Sequence, residues 1–235
     1  MAFERTIRVT GKGNLKVKPD MTRITITLEG VKKEYSSTLK QSSEDTEELK
    51  KILKKHDFSS EDVKTLSFNV EVENESYHDK NGDWKSRFVG YRFRHVLKVE
   101  FESDNDRLGK ILYSLANALI ICPEFRISFF VKDETAAKNE LLGKAVKDSR
   151  DKAEILTAAA GVKLGDIQTI DYSWGQINME IAPMHMDMLC CETAKCSTGG
   201  YDMDIEPDDI DITDTVTVVW GIIYRLMRGI QNGIH

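Results

Sequence analysis

No stretch of this chain strings together the roughly 18 uninterrupted apolar residues that a membrane-crossing helix needs, so no membrane span is expected. Basic charge is not in excess either. Lys and Arg number 33 against 39 Asp and Glu, for a net charge of −6, whereas a nucleic-acid partner normally calls for a basic face; no nucleic-acid role is expected. Cysteine is scarce and unevenly placed: Cys122 stands alone before Pro123, and Cys190, Cys191 and Cys196 are bunched. That distribution is unlike the paired framework of a small secreted domain, so reduced thiols are the default. The opening MAFERTIRVTG has no long apolar core and reads at once as a strand. Together these features predict a cytoplasmic protein, with the periplasm open only if a leader has been removed.

Catalytic signatures are missing as well. There is no Gly-x-Ser-x-Gly elbow, no His-Glu-x-x-His and no Walker loop, and the acids Asp208, Asp209 and Asp211 sit just before a strand, where solvated charge is the usual explanation. Gly11-Lys12-Gly13 has no Gly-Lys-Ser/Thr after it and no helix start to collect an anion, so it predicts a bulge or a close backbone approach inside a strand. His95 lies in an apolar strand run with no second metal-type side chain two residues away, and reads as a hydrogen-bonded core histidine. No catalytic residue, no cofactor and no enzymatic activity are expected.

What is present is a long helical pattern from Asp133 to Gly165. Ala137, Leu141, Ala145, Ser149, Ala153, Leu156 and Ala160 fall almost all four apart and line one small face able to sit close to a sheet. Asp133 is placed to cap the first free amides and Gly161 to stop the helix, which predicts about 27 residues, roughly 40 Å, near 134–160.

The remaining periods alternate between two and 3.6. Strands are expected around Ile7–Val9 and Ile24–Leu28, then a helix from Ser36 to His56 with Leu39, Thr46, Leu49, Ile52 and Leu53 inward. Leu66–Val72 and Tyr91–Phe101 read as a long hairpin across Lys80-Asn81-Gly82-Asp83. A second helix opens at a Ser103/Asp106 cap and ends before Pro123; strands follow at Phe125–Val131, at Ile167–Trp174 after the long helix, and at Ile212–Tyr224. The order β-β-α-β-β-α-β-α-β-β predicts an α+β fold with a mixed or antiparallel sheet and three helices. With only 4 prolines and no linker rich in Pro, Gly or Ser, residues 1–235 are expected to form a single domain with an inserted loop at about 176–208.

The segments RTIRVTGKGNLKVKPDMTRITITLEG, VGYRFRHVLKVEFESDNDRLGKIL, AVKDSRDKAEILTAAAGVKLGDIQTIDYS and DIDITDTVTVVWGI resemble, in order and residues, the SIMPL domain family, which includes the bacterial periplasmic immunogenic protein. The signals that carry the resemblance are Val9-Thr10-Gly11 with Pro19-Asp20, Gly90-Tyr91, and Lys152-Ala153 leading to Gly161-Val162 and Leu164-Gly165. The resemblance implies an α+β fold, homo-oligomeric assembly as in some bacterial members, and no established enzymatic activity; a eukaryotic member acts as an adaptor in kinase signalling. It supplies no catalytic residues.

One segment departs from a bland loop. Met184, His185, Met186 and Met188 precede Cys190, Cys191 and Cys196, a set of thioether, imidazole and thiolate donors that suits Cu(I) or Zn(II). Structural zinc sites usually show two spaced pairs, and here an adjacent pair is followed by a third cysteine five residues on, so packing of an insertion on the body or on a neighbouring subunit is the plainer reading. Reactive thiols are a third. Two function classes stay open: an assembly or adaptor module, with a homo-oligomer or another protein as partner, and a soft-metal or redox-responsive protein using residues 184–196.

Overall fold

The computed structural model describes residues 5–78, 82–118, 121, 123–173, 177–186 and 205–223, the side chains of 182–186 excepted. Its chain forms two compact units, one from 1–18, 131–179 and 209–235, the other from 19–130 and 180–208.

The first unit is built around helix α3, Glu134–Ala159. Asp133 caps it by accepting from the Ala136 amide at 2.9 Å, and Gly161, at φ 72°, follows its end in the left-handed conformation, as the sequence predicts. Its buried residues Ala137, Leu141, Ala145, Ser149, Ala153 and Thr157 form a strict i,i+4 row. Strand β1, Thr6–Val17, lies along that row in the opposite direction. A Cβ on Gly11 would overlap the Ala145 carbonyl oxygen and the Ser149 amide nitrogen, and one on Gly13 the Leu141 carbonyl oxygen. The two periods match: two strand residues rise about 6.6 Å and four helical residues about 6 Å. Strand backbone therefore rests on helix backbone turn after turn, the close approach expected at these glycines.

Strands β6, Lys163–Asp171, and β8, Ile210–Ile223, complete this sheet in the order β1-β8-β6, all antiparallel. Val9, Ala145, Ala153, Val216, Val218 and Trp220 are its core. Ser149, fully buried, donates to the Val9 carbonyl at 3.3 Å and accepts from the Trp220 indole at 3.4 Å. Two of the expected stripe positions fall outside: Leu156 is 50% exposed and Ala160 is exposed. Each four-residue step advances the row 40° around the helix, so after Ala153 it reaches Thr157, whereas Leu156 lies 60° the other way. The Thr157 hydroxyl satisfies itself on the Ala153 carbonyl at 2.8 Å.

The second unit holds β2, Met21–Lys32; α1, Tyr35–Lys54; β3, Lys64–His78; β4, Trp84–Glu102; α2, Asn105–Ala116; β5, Glu124–Phe130; and β7, Glu180–Met186. Its five-stranded sheet runs β3-β4-β2-β5-β7 and is antiparallel throughout. The fold is thus α+β in the predicted order, with its strands in two sheets and with β7 an added strand inside the stretch expected as a loop. Pro183 disguised it: proline argues against a central strand but is tolerated on an edge, and β7 is an edge with a register break against β5.

Ile24, Ile26, Phe93 and Leu97 are buried here and Val216 and Val218 in the first unit, while Arg23, Lys98 and Thr217 are only partly covered, all as expected. Helix α1 departs in its first half. Leu39 is 39% exposed and Thr46 only half-buried, because the inward row starts on Thr38 and Ser42. Thr38 is buried without penalty, its hydroxyl placed to donate to the Glu34 carbonyl at 3.0 Å and the Tyr91 carbonyl at 3.3 Å. Helix α2 is capped by Asp104, which accepts from the Arg107 amide at 3.0 Å, and not by Ser103, whose hydroxyl pairs with Thr22 at 3.1 Å. It also closes at Ala116, several residues before Pro123. Among the described residues no helix is long and apolar enough to cross a membrane.

The β1–α3 contact sets a stability prediction. Gly11→Ala should cost roughly 3 kcal/mol through overpacking against backbone that has nowhere to move. Ala145→Glu, which buries an unpaired charge, should cost at least about as much. Thermal or urea unfolding measures both, and an unchanged midpoint for either would contradict the described packing.

Candidate interaction surface

The β3–β4 hairpin outruns its sheet. Strand β2 accompanies β4 only from Tyr91 to Glu102, so among the described residues Trp84–Gly90 and Glu73–His78 are paired with each other alone. An isolated two-stranded ribbon is marginal in water and needs cover on at least one face. The two faces of this arm differ. On one, Arg92 binds Glu73 at 2.8 Å and reaches Glu29 at 3.4 Å, and Arg94 joins Glu29 at 3.4 Å. The hydrogen bonds that Arg92 donates to Glu73 hold the guanidinium more firmly protonated than usual, and they hold the Glu73 carboxyl below its ordinary range. Toward the tip, Arg87 binds Glu75 at 2.6 Å.

The other face carries Phe68, Val70, Val72, Phe88 and Tyr91, continuing from the side that α1 covers. Tyr35 at the start of α1 meets Tyr91 edge-on at 5.5 Å, and Phe88 meets Tyr91 at the same distance. Beyond them the cover ends: Phe68, Val72 and Phe88 are about half-exposed, and Trp84, against His78 at 3.9 Å, is 70% exposed. Large apolar residues contiguous on one side of an unsupported ribbon mark an interaction surface more than scattered ones do.

His95 anchors the base of this face. Thr46 of α1 lies 3.1 Å from its Nδ1, Thr65 of β3 lies 2.9 Å from its Nε2, and Phe68 packs edge-on at 5.2 Å. It is the hydrogen-bonded histidine that its strand position suggested. Desolvation, then Lys50, lowers its pKa below the ordinary 6.5. His56, bonded to Ser114 at 2.7 Å, is lowered by desolvation and then by Arg107.

The soft-ligand candidates are only partly within view. Met184, His185 and Met186 lie on β7, opposite Ile127, Arg126 and Phe125. Met188, Cys190, Cys191 and Cys196 lie outside the described residues, as do Cys122 and part of the 80–83 turn. Among the described residues no group of three or more His, Cys, Asp and Glu side chains is arranged to hold a metal. A contact the sequence did not disclose secures β7: Arg23 of β2 passes over the Phe130 ring of β5, 4.6 Å from its centre, to bind Glu180 at 2.6 Å while also holding Glu100 at 2.7 Å.

The exposed aromatics of the arm were also missed. The stretch Asp83–Gly90 has no clean alternation, since a register shift between Glu73 and Asn74 breaks it. Hairpin symmetry was the available signal: a strand leading into the Lys80–Asp83 turn from as far back as Lys64 needs a partner that begins straight after it.

Two antiparallel sheets, each backed by helix, define an α+β protein whose described residues include one long, half-exposed apolar ribbon. The model of the SIMPL family, described as a protein of unknown function (DUF541), matches residues 7–220, and the chain belongs to that family. No curated protein matches it.

Two predictions follow from these side chains. Between its lowered folded pKa and 6.5, the folded state binds fewer protons at His95 than the unfolded chain does, so this group's stabilisation is complete above 6.5 and is lost as pH falls through the folded value. Histidine ring NMR should place both His95 and His56 below 6.5, and a midpoint above it for either would refute the burial argument. Second, replacing Cys190, Cys191 and Cys196 together by Ser should leave the melting temperature nearly unchanged. A structural zinc contributes on the order of 10 kcal/mol, so unfolding of the triple variant, or one equivalent of metal in protein purified without chelator, would reverse the packing reading.

Proposed function

We propose that this SIMPL protein is non-catalytic and works by binding protein surface, through homo-oligomeric assembly or as an adaptor for another protein. The observation that carries the reading is the uncovered apolar face of the β3–β4 arm, from Phe68 and Val72 to Phe88 and Trp84. A ribbon with no third strand and one bare aromatic face among the described residues is poorly stabilised alone and gains most from an occupant that covers it. Aromatic anchors of this kind dominate binding energy where they are desolvated by a partner. The salt-bridged opposite face keeps the arm oriented and soluble, leaving the apolar side to supply the contact.

Light scattering behind a sizing column, at micromolar concentration, tests the assembly form of the proposal. A mass that is a multiple of 26.7 kDa and persists across a tenfold dilution series is expected. Trp84→Ser with Phe88→Ser should lower that mass while leaving the core transition in place. A clean monomer throughout would remove assembly and leave an adaptor that binds as a single copy.

A further inference from the structure

We infer that the free edge of β3 receives a second copy of this chain, antiparallel, about a two-fold axis through Val70; this names the partner for the protein-binding reading above and rests on it. Sheet edges are normally defended by proline, bulges, inward charge or a covering element. Strand β7 carries Pro183, β6 has two register breaks, and the edge of β1 is met by α3, whose Asp148 accepts from the Lys12 amide at 2.7 Å. The β3–β4 ladder shifts register only at Leu66, an extra residue on β3, and at Val89, an extra residue on β4. Between those shifts Ser67–Glu73 is a regular stretch whose outer edge is paired with no described strand, and its midpoint is Val70.

Self-pairing about that midpoint is chemically consistent on both faces. On the apolar face Phe68 stands opposite Val72 of the second copy and Val70 opposite its own equivalent, so these residues, exposed or half-buried in one copy, cover each other. On the polar face Glu71 meets Asn69 and Glu73 meets Ser67; no acid opposes an acid, and Glu73 is already bound by Arg92. Neighbouring registers fail. Centring on Val72 sets Glu71 against Glu73 twice, and centring on Phe68 draws the irregular Leu66 into the ladder. The pairing joins two five-stranded sheets into one, with the two arms at opposite ends of the shared edge.

The test uses the full chain and sedimentation equilibrium. Asn69 and Glu71 are exposed, so their exchange leaves the core alone. Asn69→Lys puts a lysine opposite Glu71 twice by symmetry and should tighten self-association about fivefold; Asn69→Glu should loosen it about as much. Within one copy Asn69 neighbours Arg94, so the stability of dilute monomer should move the opposite way, up for Glu and down for Lys. With Cys122, Cys190, Cys191 and Cys196 replaced by Ser, Val70→Cys should oxidise to a covalent dimer. If the wild type self-associates but neither Asn69 variant shifts the constant and Val70→Cys stays a free thiol, the copies meet elsewhere, and the β3 pairing is wrong while assembly stands. A wild type at 26.7 kDa at every concentration overturns pairing and assembly together. Protection of the β3 amides from hydrogen exchange only on adding a different protein would assign the edge to that protein and overturn the self-pairing.

Discussion

Backbone resting on backbone is the constraint on which the first unit depends. Gly11 and Gly13 leave β1 bare on the side facing α3, and Ala145 and Ser149 present the helix surface they touch. The contact works only because a step of two along the strand and a step of four along the helix advance nearly the same distance. That match explains several features at once. The stripe is made of small residues because the strand backbone occupies the room a side chain would take. Its strict spacing by four follows the i,i+4 ridge, which runs obliquely to the helix axis. Ser149 is buried because a carbonyl and an indole of the sheet both come within its reach.

The same constraint was legible in the sequence from either side. Small residues four apart announced a helix with a close neighbour, and two glycines two apart inside a strand announced a close approach. Alternation located the core of both sheets through Ile24, Ile26, Phe93, Leu97, Val216 and Val218. What could not be read follows from the limits of periodicity. Polar residues serve as inward positions when they can satisfy themselves locally, as Thr38 and Thr157 do, so a purely apolar stripe misplaces Leu39 and Leu156. Pro183 masks an edge strand, and the bulge after Glu73 masks half of a hairpin. The exposed apolar face of the arm was hidden for a related reason. Trp84 and Phe88 are conspicuous only once it is known that β2 stops short of them, a fact about strand lengths in three dimensions and not about any local pattern.

The two units treat polar groups differently. In the first, one serine bridges strand and indole in a dry core. In the second, charge is spread across the outer face of the sheet, where Arg23 spans from Glu100 to Glu180 and Arg92 from Glu29 to Glu73. These pairs are partly exposed and each adds little to global stability. Their value is positional: Arg92 ties β4 to the strand on either side, and Arg23 reaches over β5 to tie β2 to β7, which is not its neighbour.

The pairing of β1 with β8 bears on how the protein comes to be folded. Thr6 stands opposite Gly221, so closing the three-stranded sheet closes a loop of nearly the whole chain. Long-range pairings of this kind are slow, since the entropy of closure is lost before any contact is gained. Among the described strands β1 pairs with β8 alone, which lies between it and β6. On the ribosome, then, β1 has no sheet to enter until β8 has been made, whereas β2, β3, β4 and β5 can already combine. The glycine-bearing strand is made before the other described strands of its sheet and settles only with the later of them, and in between it must be kept from pairing with something else.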